Sequence, residues 1–143
     1  MGHSVQAFRG RLLTQDDRCL LALTALLRRL DRDRADPWLS GTVARWLRAV
    51  EVGGPGTIDL DLDAGLGGAD LGGADAVDRL VDALRAIARE IRSYGERVPA
   101  DVLNGAALPT GIVFHDFPSR DVIACIEALE ALLRDPEAGD ARA

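Results

Sequence analysis

The fold is decided by residues 76–95, whose sequence is AVDRLVDALRAIAREIRSYG. Apolar side chains recur in this stretch with the 3.6-residue period of an α-helix, and they are Val77, Leu80, Val81, Leu84, Ile87, Ala88, Ile91 and Tyr94. Gly95 follows them and can take the left-handed conformation that ends many helices. The stretch therefore predicts a long helix whose apolar face must pack against other elements.

The same period predicts three more helices. The first runs from about residue 15 to residue 33. The second follows Asp36-Pro37, a pair that is typical of a helix cap and a first-turn proline. The last begins near Ser119 and carries an aliphatic stripe. A further helical turn is expected over residues 99–103.

Two segments have the composition of β-strands. Residues 57–63 alternate aliphatic and acidic side chains, which predicts a half-buried strand. Residues 112–117 carry apolar groups on both faces, which predicts an internal strand. Residues 5–13 fit either a short strand or the lead-in to a helix. Gly10 interrupts both patterns, so this segment is expected to be irregular or weakly extended. The fold class predicted is α+β and helix-rich, with about four helices packed with a small two- or three-stranded sheet.

A chain of 143 residues has the size of one domain, so we expect residues 1–143 to form a single compact domain. Residues 1–13 and 135–143 are expected to be flexible, and residues 64–75 to form a mobile Gly-rich loop. We expect a cytoplasmic protein, since Cys19 and Cys125 fall on apolar helical faces where cysteine is a reduced core residue. No run of about twenty apolar residues is present to cross a membrane.

The charge is distributed unevenly along the chain. The net charge is −6, but residues 1–50 hold nine arginines and five acids whereas residues 51–143 hold eight arginines and eighteen acids. A protein partner that carries basic groups is therefore expected, and the opposite charges of the two parts also allow a homo-oligomer. A nucleic-acid partner is not expected, because phosphate backbones are bound by clustered positive charge. All 17 cations are arginine, which indicates a GC-rich bacterial genome.

The preferred hypothesis is a non-catalytic interaction, accessory or immunity-type protein that presents an acidic surface to a protein partner. Two groups of residues are the candidates for partner binding. The first is the acidic face of the predicted strand, with Asp59, Asp61 and Asp63. The second is the tryptophan pair Trp38 and Trp46, since exposed tryptophan commonly anchors interfaces; the alternative is that both are core residues.

The alternative hypothesis is a small enzyme, or a binder of a small ligand or anion, at the junction of the last strand and the last helix. Its candidate ligand-binding residues are His115, Asp116, Ser119 and Arg120. Amides at a helix start attract anions, Arg120 can clamp one, and His115 can act as a base. No second base or nucleophile accompanies His115, so no catalytic residue is assigned. In the structural alternative, Asp116 or Ser119 caps the helix, Arg120 is solvated, and His115 is partly buried and bonded to a neighbour.

A third hypothesis is a helix-turn-helix-like DNA binder, in which Thr42, Arg45 and Arg48 point outward from the second helix. Against it, the short helix that should precede the turn is missing from the sequence pattern. The acidic segment that follows would also repel DNA.

No metal and no cofactor are expected. The two histidines and two widely separated cysteines cannot supply the three or four ligands of a zinc site. Asp59, Asp61 and Asp63, with Asp70 eleven residues after Asp59, partly match the spacing of a calcium loop, but Ala64 stands where its sharp turn requires glycine. The phosphate-binding Gly-x-x-x-x-Gly-Lys pattern and the dinucleotide fingerprint are both absent.

Overall fold

The computed structural model describes residues 2–54, 56–66, 74–105, 108 and 114–134. Within them lie six helices and four strands. In chain order they are β1 (His3–Phe8), β2 (Arg11–Asp16), α1 (Asp17–Arg34), α2 (Pro37–Val52), α3 (Leu62–Leu66), α4 (Ala74–Ser93), β3 (Arg97–Val98), α5 (Ala100–Asn104), β4 (Phe117–Pro118) and α6 (Ser119–Arg134).

The centre of the core is α1. Leu20, Leu23, Leu26 and Leu27 are each 0% exposed, because α2, α4, α5 and α6 all contact this helix. The apolar stripe of α4 contributes Leu80, Leu84 and other buried residues to the same core, and α4 also packs against α6. The predicted helices are confirmed, and the architecture is helix-rich α+β.

Local chemistry explains where these helices begin and end. Asp36 accepts a hydrogen bond from the Trp38 amide at 3.0 Å, and Pro37 takes the first helical position, as the sequence predicts. Asp16 accepts from the Arg18 amide at 2.8 Å and caps α1 in the same way. Gly95 follows α4 with a φ of +83°. Side-chain caps and this glycine therefore set the lengths of the helices.

Residues 3–16 form a regular antiparallel hairpin, whereas the sequence predicted an irregular or weakly extended segment over residues 5–13. Arg9 and Gly10 have φ angles of 50° and 82°, the sign that a type I′ turn needs at both central positions. Arg9 is unusual there because it has a Cβ. Its amide donates to Asp63 Oδ1 at 2.8 Å, and its guanidinium lies 4.9 Å from the centre of the Phe8 ring. These contacts stabilise a turn that the local sequence does not predict.

The predicted strand over residues 57–63 keeps its burial pattern but has no strand pairing. Ile58 and Leu60 are 5% and 1% exposed. The carboxamide of Gln6 replaces a neighbouring strand, because its Nε2 donates to the Ile58 carbonyl at 2.8 Å and its Oε1 accepts from the Leu60 amide at 3.0 Å. Ser4 Oγ accepts from the Ile58 amide at 3.0 Å. Side chains of β1 thus satisfy this buried backbone.

The strand predicted over residues 112–117 is wrong in its described part. Only Phe117 belongs to a strand, the two-residue β4, which pairs with β3; residues 112 and 113 lie outside the described residues. Asn104 holds Phe114 much as Gln6 holds Ile58. Its Oδ1 accepts from the Phe114 amide at 2.7 Å, and its Nδ2 donates to the Phe114 carbonyl at 2.9 Å.

The predicted loop over residues 64–75 is helical at both ends. Residues 64–66 belong to α3 and residues 74 and 75 to α4. Residues 67–73 and the tail 135–143 lie outside the described residues, so the expectations for them stay predictions. Among the described helices, none combines the length and apolarity that crossing a membrane requires.

Candidate functional site

Two grooves flank the junction of β4 and α6 and share Pro118. The first has a volume of about 520 Å³. We call it the thiol groove, and it is lined by Asp16, Arg18, Cys19, Leu21, Phe114, His115, Asp116, Phe117, Pro118 and Asp121. The second has a volume of about 590 Å³. We call it the arginine groove, and it is lined by Arg92, Gly95, Glu96, Arg97, Pro118, Ser119, Arg120 and Ile123.

The four candidate residues of the junction are divided between these grooves. His115 and Asp116 line the thiol groove, whereas Ser119 and Arg120 line the arginine groove. His115 is exposed and makes no hydrogen bond or ion pair with any described residue. The structure therefore does not bring the histidine together with the arginine and serine that a single anion site at the junction would need.

Asp116 has a structural partner that the sequence did not indicate. Its Oδ1 accepts from the Ala100 amide at 2.9 Å, so it satisfies the first amide of α5, where Pro99 offers no capping side chain. The Asp116 carbonyl accepts from Arg97 Nη1 at 3.2 Å. Neither Asp116 nor Ser119 caps α6 among the described contacts, which corrects the structural alternative for these two residues.

The thiol groove contains Cys19, which the sequence analysis placed in the core. Its side chain is partly exposed. Burial, followed by the negative charges of Asp16 and Asp121, raises the pKa of the Cys19 thiol to about 11. Cys125 is buried, and burial raises its pKa to about 12. A thiol held in the neutral form is a poor nucleophile, so this groove lacks an activated cysteine.

We expect Cys19 to alkylate slowly in the folded protein. With a pKa of about 11, its thiolate fraction at pH 8 is about 100-fold below that of an ordinary cysteine. The rate with iodoacetamide should rise about tenfold per pH unit up to pH ~11, and peptide mass spectrometry separates Cys19 from Cys125. The urea-unfolded chain is the control. Rapid labelling of the folded protein at pH 7 would contradict the expectation.

The arginine groove is built from residues far apart in the sequence. Arg92 lies in the last turn of α4, Arg97 lies in β3, and Arg120 is in the first turn of α6. Ser119 is 4% exposed, and its Oγ has no hydrogen-bond partner in the described part of the chain. Sequence reasoning found Ser119 and Arg120 but missed Arg92 and Arg97. The only available signal was the arginine spacing along α4.

The acidic candidates lie on a well-defined segment. Asp59, Asp61 and Asp63 are all exposed, as their alternation predicts. Asp59 Oδ1 accepts from the Asp61 amide at 2.9 Å, and Asp63 Oδ1 accepts from the Arg9 amide. These hydrogen bonds hold the side chains of Asp59 and Asp63 in place. We call the three exposed carboxylates the acidic ridge.

The tryptophan candidates have core positions. Trp46 is 2% exposed, so its indole cannot anchor a partner, and Trp38 is partly buried against the core. Of the arginines proposed for DNA binding, Arg45 and Arg48 are exposed, and Arg45 lines a small hollow together with Asp61. A phosphate approaching Arg45 would meet the acidic ridge.

A surface that the sequence analysis missed lies on the outer side of the hairpin. Val5 is 52% exposed and Leu12 is 70% exposed, whereas the polar Ser4 and Gln6 are 0% exposed. Ala7 pairs with Leu12, and Val5 pairs with Thr14, so these four side chains are neighbours on one face. We call Val5, Ala7, Leu12 and Thr14 the hairpin face.

No described cluster of three or more histidine, cysteine or acidic side chains has an arrangement that could hold a metal ion. Asp70, the fourth acid of the calcium-like spacing, lies outside the described residues. In comparisons with known proteins, no family model, no curated protein and no solved structure gives a significant match to this chain.

Proposed function

We propose that the protein is a non-catalytic binding protein that engages a basic protein partner through the hairpin face and the acidic ridge. The observation that carries this proposal is the exposure of Val5 and Leu12 on the outer face of the hairpin. Ser4 and Gln6 point into the protein beside the core residue Phe8 and are hydrogen-bonded there, while Val5 and Leu12 point outward. The outer face of a solvent-exposed hairpin ordinarily carries polar side chains.

The inside of the hairpin explains why this arrangement is stable. Gln15 Nε2 donates to the Cys125 carbonyl at 3.1 Å, and Gln6 and Ser4 bind residues 58–60. The inward face therefore exchanges polar contacts with α6 and the acidic segment. Leu12 points outward and is 70% exposed, so folding of this chain removes little of its apolar surface from water. Burying it against a partner would remove apolar surface from water, which favours association.

The hairpin also offers an open strand edge. Because a two-residue turn is closed by the hydrogen-bonded pair of Phe8 and Arg11, the backbone groups of Leu12 and Thr14 point away from β1. Within the described residues, no further strand pairs with β2. An extended segment of a partner can add to this edge and cover the hairpin face at the same time.

Charge favours a basic partner. The acidic ridge adjoins β1, on the side opposite the open edge of β2, because Gln6 and Arg9 bind its backbone and its Asp63 carboxylate. Two strands separate the two features, a distance of about 10 Å. A partner that covers the hairpin face therefore places its rim against three carboxylates, where lysine or arginine side chains would be attracted.

The test is capture of partners from the native cell, followed by affinity measurement with the recovered protein. We expect Leu12→Asp to weaken binding at least tenfold, because it places a charge at the centre of the interface. The triple change Asp59→Asn, Asp61→Asn, Asp63→Asn should weaken binding about three- to tenfold and flatten its salt dependence. Asparagine keeps the oxygens that accept from Asp61 and Arg9, so the fold is preserved.

Val52→Asp is the matched control, since Val52 is 78% exposed but lies on α2, outside the hairpin face. Equal binding by wild type and Leu12→Asp would remove the hairpin face from the proposal. Equal binding by the triple variant would remove the acidic ridge. If light scattering shows a dimer that Leu12→Asp dissociates, the occupant of this face is a second copy of the chain and the basic partner is wrong.

A further inference from the structure

We infer that the arginine groove binds the phosphate group of a small phosphorylated molecule. The ligands would be the guanidinium groups of Arg92, Arg97 and Arg120, the hydroxyl of Ser119 and the amides in the first turn of α6. This site shares no residue with the hairpin face or the acidic ridge, so the inference does not depend on the proposed protein partner.

The local charge differs from that of the whole chain. Three arginines and one acid, Glu96, line the groove in a protein whose net charge is −6. The Arg92 side chain has no ion pair or hydrogen bond to a described residue. Arg120 is 93% exposed in its side chain, and its Nε lies 3.9 Å from Asp121 Oδ1, the limit of an ion pair. These guanidinium groups can therefore turn toward an anion without breaking a strong contact.

Arg97 is the best-positioned of the three arginines. Its Nη1 donates to the Asp116 carbonyl at 3.2 Å, which fixes the side chain between β3 and the chain leading into β4. The other N–H groups of its guanidinium are not used by that bond. A guanidinium held on one side presents its remaining donors in a planar fork, the geometry that binds two phosphate oxygens at once.

The start of α6 adds donors of a second kind. The first amides of a helix have no acceptor within the helix and carry a partial positive charge. The Ser119 amide is already bonded to the Glu96 carbonyl at 2.9 Å, so the amides that follow it are the ones available. α6 has 16 residues, which is long enough for a full dipole at its N-terminus.

Ser119 is the independent sign of a ligand. It is 4% exposed and lines the groove, yet its hydroxyl has no hydrogen-bond partner among the described residues. Buried hydroxyl groups are almost always hydrogen-bonded, because losing water without a replacement costs folding free energy. A phosphate oxygen at the start of α6 would accept from this hydroxyl and remove that cost.

The shape of the groove favours a small ligand over a polymer. Its volume of about 590 Å³ lies within the range of small-molecule sites. Pro118 and Ile123 supply an apolar wall for the organic part of the ligand, while Glu96 would repel an extended polyanion such as a nucleic acid or an anionic bilayer.

The experiment is a titration of the ¹⁵N-labelled full chain with inorganic phosphate and with pyrophosphate at constant ionic strength. We expect saturable shifts at the amides of residues 119–122, with pyrophosphate binding more tightly than phosphate. Arg92→Gln, Arg97→Gln and Arg120→Gln should each weaken pyrophosphate about three- to tenfold. Glu96→Gln should tighten it about twofold, because it removes the one acidic side chain among the groove-lining residues.

Ser119→Ala separates a ligand role from a structural one. If the hydroxyl serves a phosphate, the variant should bind pyrophosphate more weakly while keeping or raising its melting temperature, because an unsatisfied buried group has been removed. Arg48→Gln, a change of an exposed arginine on α2, should leave binding unchanged. Absence of saturable shifts, an equal loss in Arg48→Gln, or binding only to vesicles of anionic lipid would each overturn the assignment.

Discussion

Replacing Gln6 with leucine is expected to lower the free energy of unfolding by about 3 to 5 kcal/mol, because two buried backbone groups lose their partner at about 1 to 3 kcal/mol each. Gln6 is 0% exposed, and its carboxamide bonds to the Ile58 carbonyl and the Leu60 amide. Leucine fills most of the volume but offers neither a donor nor an acceptor. The loss would be a large fraction of the roughly 5 to 15 kcal/mol that stabilises a domain.

Urea denaturation monitored by the fluorescence of Trp46, which is 2% exposed in the folded state, measures this effect. With an m-value of about 2 kcal/mol/M, the midpoint should fall by roughly 1.5 to 2.5 M. Gln6→Glu should also destabilise, since it keeps the acceptor for Leu60 but places an oxygen against the Ile58 carbonyl and buries a charge.

Gln15→Leu is the matched control for Gln6→Leu. Gln15 is 5% exposed in the adjacent strand, and it bonds to the Cys125 carbonyl and sulfur through Nε2 alone. Its Oε1 has no partner in the part of the chain that the structure describes. Leucine should therefore cost about 1 kcal/mol or less at this position. Similar losses for the two variants would show that Gln6 acts by filling space and not by replacing a strand.

The helices could be predicted from the sequence because their cause is local. The apolar period of residues 76–95 and the Asp36 cap are both properties of neighbouring residues, and both are found in the structure. The hairpin could not be predicted, because both of its faces mix polar and apolar side chains and its turn is Arg9-Gly10 where Asn-Gly or Asp-Gly is usual. The contacts that hold Arg9 come from Asp63, across a long separation in sequence.

The two predicted strands fail for a shared physical reason. Their alternation or apolar content correctly indicates buried extended backbone, but a strand also requires a backbone partner, which no local pattern specifies. In this protein two carboxamides supply the hydrogen bonds instead, Gln6 for residues 58–60 and Asn104 for Phe114. A segment whose backbone is bonded by a glutamine carboxamide is buried and extended, as a paired strand is. Its sequence therefore shows the same pattern as that of a paired strand.

The candidate site was predictable only in part. The start of α6 could be located from Ser119 and Arg120, because helix starts have sequence signals. Arg97 joins them through the pairing of β3 with β4, which consists of two residue pairs, and Arg92 joins them through the packing of α4 against α6. His115 was the conspicuous residue in the sequence, yet it lines the other groove. Tertiary contacts between distant elements thus decide which charges meet.

Asp17→Asn is the second substitution with a large expected effect, and it is nearly isosteric. Asp17 is 1% exposed; its Oδ1 accepts from Ser4 Oγ, and its Oδ2 accepts from the Gly56 amide at 2.7 Å. Ser4 Oγ in turn accepts from the Ile58 amide. The carboxylate therefore receives two donors and connects β1, the start of α1 and the chain leading into the acidic segment.

An asparagine at this position cannot satisfy both donors. If its NH₂ group faces Gly56, two donors oppose each other, and if it faces Ser4, the serine proton loses its acceptor. The negative charge at the first turn of α1 is also lost, at about 0.5 kcal/mol. We expect Asp17→Asn to lower the free energy of unfolding by about 2 to 4 kcal/mol, measured by urea denaturation. Asp16→Asn is the control, since asparagine caps a helix as well as aspartate does. A loss below about 0.5 kcal/mol for Asp17→Asn would contradict the expectation that the hydrogen bonds of this carboxylate to Ser4 and Gly56 stabilise the fold.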